Sequence, residues 1–131
     1  MNAAELWWFL PVGFVATVLI ETPVLLVGLA PQHPLVRKLF AGIWLTACTY
    51  PVVILALSVL IGSDEHRTAY LLVAETFAPL TECLLFAAAF HGRITESKCS
   101  RWRDYLAIVL ANLASFGMGP WLLSFLWRGV Q

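Results

Sequence analysis

Charge is what this chain has least of. Only 12% of its 131 residues are charged, roughly half the ~25% of an ordinary soluble domain. With 60% hydrophobic residues and a mean hydropathy of +0.82, it lacks the polar side chains that coat a water-facing surface. A free-standing soluble enzyme and a disordered tail are excluded. Lys+Arg and Asp+Glu number 8 each, so no basic excess points to nucleic acid. Cysteine is scarce as well. Cys48, Cys83 and Cys99 form no CxxC pair, which speaks against thiol–disulfide chemistry, and Cys48 and Cys83 read as small buried hydrophobes. No histidine lies deep in an apolar segment, so haem is not expected, and His33, His91 and Cys99 follow no metal-ligand spacing. Ser115 has no histidine beside it for nucleophilic hydrolysis, and phosphate-binding glycine loops are missing. No cofactor is expected.

Long apolar runs are what the chain does have. Crossing a bilayer takes about 20 apolar residues, at ~1.5 Å each over ~30 Å. Four segments qualify: Leu6–Leu29, Leu39–Gly62, Ala69–His91 and Tyr105–Trp127. They are continuous rather than alternating, and backbone groups in lipid must be satisfied within the segment, which selects helices. The expected fold is an all-α integral membrane protein, a single domain over 1–131 with four transmembrane helices in a compact bundle. The first segment has Glu5 where a signal peptide carries basic residues, and reads as a retained helix.

Basic residues set the expected orientation. Arg37, Lys38, Arg93, Lys98, Arg101 and Arg103 fall in loops 30–38 and 92–104, against Arg67 and Arg128 on the opposite side. Those two loops are assigned to the cytoplasm and both termini to the outside, in a bacterial type of inner membrane. Trp7, Trp8, Tyr70, Trp121 and Trp127 would form the outer aromatic belt, Trp102 and Tyr105 the inner one. Membrane lipids are expected partners, with anionic heads at the basic third loop.

The second and fourth segments repeat a pattern at an offset of 66 residues: Thr46-Ala47-Cys48-Thr49-Tyr50-Pro51 matches Asn112-Leu113-Ala114-Ser115-Phe116-Gly117. Two duplicated hairpins, related by an axis along the membrane normal, would produce this; so would chance similarity of apolar segments.

Three acids, Glu21, Glu75 and Glu82, lie within the apolar segments, where a charge costs about 2.5–3.5 kcal/mol on insertion scales. Counting along the helices puts Glu21 and Glu82 at nearly one depth, with Thr49, Tyr50, Asn112 and Ser115. Stripes such as Gly13, Thr17, Glu21, Gly28 and Gly42, Thr46, Thr49, Val53 turn polar and small residues towards neighbouring helices. Gly117-Met118-Gly119 reads as another close-packing point. Glu21 and Glu82, with Thr49, Tyr50, Asn112 and Ser115 as partners, are the candidate ion or proton site; Glu75 is a candidate entrance. Pro23 and Pro51 would bend their helices beside this layer.

Carboxyl groups close together out of water favour a shared proton. The leading expectation is therefore a proton- or cation-handling transporter or channel component, acting as a homo-oligomer or within a larger membrane complex. A scaffold subunit without chemistry, its glutamates fastening helices together, is the alternative; a lipid-modifying intramembrane enzyme is a weaker third.

Overall fold

The computed structural model describes residues 3–62, 65–92 and 97–128. Among these there is no strand, and four helices account for nearly all of them: α1 (Ala3–Gly28), α2 (Leu35–Ile61), α3 (Arg67–Phe90) and α4 (Lys98–Arg128). Each is long and apolar enough to cross a membrane. α2 starts four residues before the expected Leu39 and α4 seven before Tyr105. Hydropathy marks only the apolar stretch, whereas Lys and Arg are good helix formers and carry both helices further. Arg93 lies outside the described residues.

Pro34, extended at φ −64° and ψ 155°, starts α2. α2 is not uniform: a π segment, Val52–Leu57, interrupts it directly after Pro51. Pro51 has no N–H for the Ala47 carbonyl, so the ladder slips there. The Tyr70 hydroxyl of α3 donates to the Val53 carbonyl in this segment, at 3.2 Å. α2 ends on Gly62, whose φ of 71° is left-handed.

α1 packs on α2 and α4, and α3 closes the ring by packing on the same two helices. α1 sits tightest. A Cβ on Gly28 would stand 2.7 Å from the Ala107 Cβ and 3.4 Å from its Cα; one on Gly42 would stand 2.5 Å from the Thr22 hydroxyl oxygen. Ala107 is anchored by its own helix backbone and cannot yield, so Gly28→Ala is expected to cost about 1–3 kcal/mol by overpacking, read as a lower thermal midpoint in detergent. Gly117 and Gly119 differ from expectation: a Cβ at either would meet nothing within 4 Å. They are open surface rather than a packing point.

We call the end where α1 and α3 finish the basic end, since Arg37, Lys38, Lys98, Arg101 and Arg103 gather there, and the other the terminal end. The apolar core lies towards the basic end and comprises Leu25, Leu29, Ala41, Leu45, Phe86, Ala107, Ile108 and Ala111. Two of the basic side chains do structural work. Lys38 Nζ donates to the carbonyls of Leu26 (3.3 Å) and Leu29 (3.0 Å), and Arg103 to those of Gly28 (2.9 Å) and Val27 (3.4 Å). The last carbonyls of a helix have no partner in their own ladder, and cations from two other helices supply one here.

Two expected belt residues also turn inward. Tyr70 bonds to α2 as above, and Tyr105 reaches His91. Trp7, Trp8, Trp102 and Trp121 are exposed; the Trp127 side chain lies outside the described residues. Cys48, expected to be buried, is exposed, because its neighbours Thr46 and Thr49 take the inward face of α2.

Candidate functional site: a carboxylate pair in a polar cavity

Helical spacing brings the predicted polar residues together. Thr46 and Thr49 are one turn apart on α2, Asn112 and Ser115 one turn apart on α4, and each pair faces the bundle centre. Between them stand Glu21 of α1 and Glu82 of α3, only 3% and 2% exposed. All four carboxylate oxygens are bonded. The Thr46 hydroxyl meets Glu21 Oε2 and the Ser115 hydroxyl Glu21 Oε1, both at 2.7 Å. The Thr49 hydroxyl meets Glu82 Oε1 at 2.6 Å, and Asn112 Nδ2 donates to Glu82 Oε2 at 2.7 Å.

The bonds cross over. Thr46 and Asn112 match at the 66-residue offset, as do Thr49 and Ser115. Interchanging the hairpins exchanges the Thr46–Glu21 bond with Asn112–Glu82, and Thr49–Glu82 with Ser115–Glu21. The centre thus has an approximate two-fold pattern, and each glutamate is held by both α2 and α4.

Each hydroxyl also has a second neighbour. Thr46 Oγ1 lies 2.9 Å from the Gly42 carbonyl, Thr49 Oγ1 3.0 Å from that of Leu45, and Ser115 Oγ 2.9 Å from that of Asn112. The second hydrogen of the Asn112 amide goes to the Ile108 carbonyl at 3.0 Å.

A cavity of about 160 Å³ opens beside the pair, on the side away from the apolar core. At ~30 Å³ per water it has room for roughly five. Thr17, Tyr50 and Val53 line it towards the terminal end, with Ala74, Glu75 and Ala78 of α3. Glu75, the expected entrance residue, therefore shares the space with Glu21 and Glu82. Tyr50 lines the cavity too, but among the described residues it bonds neither glutamate. Its hydroxyl rests on Gly13, where a Cβ would come within 1.9 Å, and its ring meets Phe14 edge-on.

Thr46 was not among the predicted site residues, although its place one turn before Thr49 was a usable signal. A second polar centre was missed altogether. Asp104, at the start of α4, is fully buried, and His33 is 2% exposed. Asp104 Oδ1 accepts the Ala30 N–H at 2.8 Å, while Oδ2 faces His33 Nε2 at 2.8 Å and His91 Nε2 at 3.4 Å. His33 in the first basic loop and His91 at the edge of the other, with an acid among basic residues, were the available hint. His33 and His91 thus pair with this carboxylate, whereas Cys99 is exposed. Among the described residues no group suits a metal ion.

Compared with protein families, curated proteins and solved structures, the chain matches none.

Proposed function

We propose that this is a membrane-embedded protein that handles protons or small cations, a transporter or channel component whose working groups are Glu21 and Glu82. A lipid setting is supported by the outward faces. Val27 and Val59 are 80% and 82% exposed, and Leu19, Leu72 and Leu84 are exposed as well: outward apolar side chains that lipid accepts and water does not. The five basic residues at one end favour placing that end in the cytoplasm and both termini outside, as in a bacterial inner membrane. The crossed bonding pattern favours two duplicated hairpins.

Three hydroxyls carry the functional reading. Each of Thr46, Thr49 and Ser115 has one hydrogen and two oxygen neighbours, a carboxylate oxygen on one side and its own helix carbonyl on the other. When a glutamate is ionised, the hydroxyl donates to it. When the glutamate is protonated, the carboxyl O–H donates to the hydroxyl, which swings its hydrogen to the carbonyl. Around Glu82 this exchange leaves every group bonded in the protonated state and strands no donor in the ionised one. A proton can therefore come and go at little cost in lost hydrogen bonds, which is more than a helix fastener requires. The cavity argues for a small cargo: about 160 Å³ is well below the ~300–1,000 Å³ of pockets for organic ligands. The small size of this cavity also favours a homo-oligomer or a larger membrane complex as the setting for a complete route.

The test is flux from the purified full chain in lipid vesicles with a trapped pH dye, driven by an imposed pH, sodium or potassium gradient. Wild-type protein is expected to exceed protein-free vesicles, and the double substitution Glu21→Gln, Glu82→Gln to return to that background. A wild type that moves neither protons nor cations, or a double variant as fast as wild type, removes the reading.

A further inference from the structure

The two polar centres are stacked along the bundle with the apolar core between them. His91, just past the end of α3, follows Glu82 by nine residues, and Asp104 precedes Asn112 by eight on α4, so at ~1.5 Å per residue they lie about 12–14 Å apart along the axis. Leu25, Leu45, Phe86 and Ile108, all 1% exposed or less, fill the interval. Phe86 lies within this interval and packs on the basic-end centre. It stands one turn beyond Glu82, and its ring meets those of His33 and His91 edge-on at 5.4 and 5.5 Å.

We propose that Asp104, His33 and His91 form a second proton-binding station at the basic end, separated from Glu82 by an apolar plug whose moving part is the Phe86 ring. It rests on the proton-handling reading of Glu21 and Glu82. The chemistry of His91 distinguishes a station from a simple cap. Its Nε2 faces Asp104 Oδ2, and its Nδ1 lies 3.2 Å from the Tyr105 hydroxyl. With a neutral ring, Nε2–H donates to Asp104 and Nδ1 accepts from Tyr105. With a protonated ring both nitrogens donate, and the Tyr105 hydroxyl turns to accept. Proton gain therefore breaks no bond with either partner, by the same hydroxyl exchange that serves Thr49 and Glu82. His33 differs. Its Nδ1 faces Arg37 Nη1 at 3.3 Å; a guanidinium only donates, so this nitrogen accepts and Nε2 carries the hydrogen given to Asp104.

Among the described residues, the groups facing Asp104 include the Ala30 N–H after α1, His33 with Arg37 of α2 behind it, His91 just past α3, and Tyr105 of α4 through His91. Arg37 in turn lies over the Phe90 ring, 5.3 Å from its centre. His91 is the member of this cluster nearest the basic end, its side chain 7% exposed there, whereas the cavity beside Glu82 opens away from that end. A proton passing between the stations needs water in the interval, and the Phe86 ring excludes it.

The experiment uses full-length protein in vesicles of phosphatidylethanolamine and phosphatidylglycerol, with trapped pH dye, an imposed pH step and the potential clamped. Phe86→Ala is expected to collapse the gradient about tenfold faster than wild type, the change that a barrier lower by ~1.4 kcal/mol gives, and Phe86→Leu to a smaller degree. Adding His91→Gln to Phe86→Ala is expected to remove the leak. A folded Phe86→Ala no faster than wild type overturns the plug, and a leak indifferent to His91→Gln overturns the station. Glu82→Gln on the same background separates the two readings. A leak that needs His91 but not Glu82 sinks the carboxylate reading and leaves the station standing; one that needs Glu82 but not His91 does the reverse. If neither Phe86 variant folds, ring nitrogen-15 spectra of wild-type protein decide: His91 is expected to pass between the Nε2–H tautomer and imidazolium while the chain stays folded, and a ring neutral throughout overturns the station.

Discussion

Asp104→Ala is expected to cost the folded chain about 3 kcal/mol or more, the largest single loss among its polar positions. Its carboxylate joins three segments at once: the Ala30 N–H beyond α1, His33 before α2 and His91 after α3. Truncation strands donors that the bundle keeps from water, at about 1–3 kcal/mol each, and leaves a void at the start of α4. Asp104→Asn should fall between wild type and Ala. Its amide oxygen can keep the Ala30 N–H, but its NH₂ then faces two imidazole nitrogens, and His33 cannot turn its hydrogen away because Arg37 donates to its other nitrogen. Reversible unfolding in mixed detergent micelles measures both. A loss under about 1 kcal/mol for Ala, the range of an exposed polar pair, would show that the cluster holds nothing together.

The second large effect separates function from fold at Glu82. Glu82→Gln is expected to keep stability within about 1 kcal/mol of wild type while abolishing proton binding at this position. The Gln amide N–H can donate to Thr49, which then donates to the Leu45 carbonyl, and the Gln oxygen still accepts from Asn112. Glu82→Leu removes both contacts and should cost about 2–3 kcal/mol, since the Asn112 amide is left with an unpaired hydrogen. The checks are unfolding free energies for the two variants and the infrared carboxyl band. The wild-type band should gain and lose intensity with pH, and Glu82→Gln should remove that component. Equal stability losses for Gln and Leu would instead mean that Glu82 must be ionised to hold the fold.

Much of the first centre is legible in the sequence. Glu21, Glu82, Thr49, Asn112 and Ser115 could be put in one layer because helical rise is constant and their neighbours one turn away are small or polar. That count gives depth and facing, and these suffice when partners sit at the same height on adjacent helices. Tyr50 shows the limit of counting. It shares the layer, yet its hydroxyl rests on Gly13, because a long side chain ends far from its own Cα. Asp104 marks a different limit. Its apparent place in a basic loop followed from hydropathy, which stops where lysine and arginine begin, although the helix continues through them. Lys38 and Arg103 likewise read only as charges that orient the chain; that both reach back to the last carbonyls of α1 depends on how three helix ends meet.

Composition and hydropathy alone decided that the chain makes four long apolar helices, since backbone hydrogen bonds and run length are local properties of consecutive residues. Only the packed structure decided which donor meets which carboxylate oxygen, that Phe86 fills the space between two polar centres, and that a histidine pair gathers on Asp104. Those arrangements join residues as far as 94 positions apart, and what brings them together is the ring order of helices and the close approach at Gly28 and Gly42, where the absence of one methyl group sets the distance.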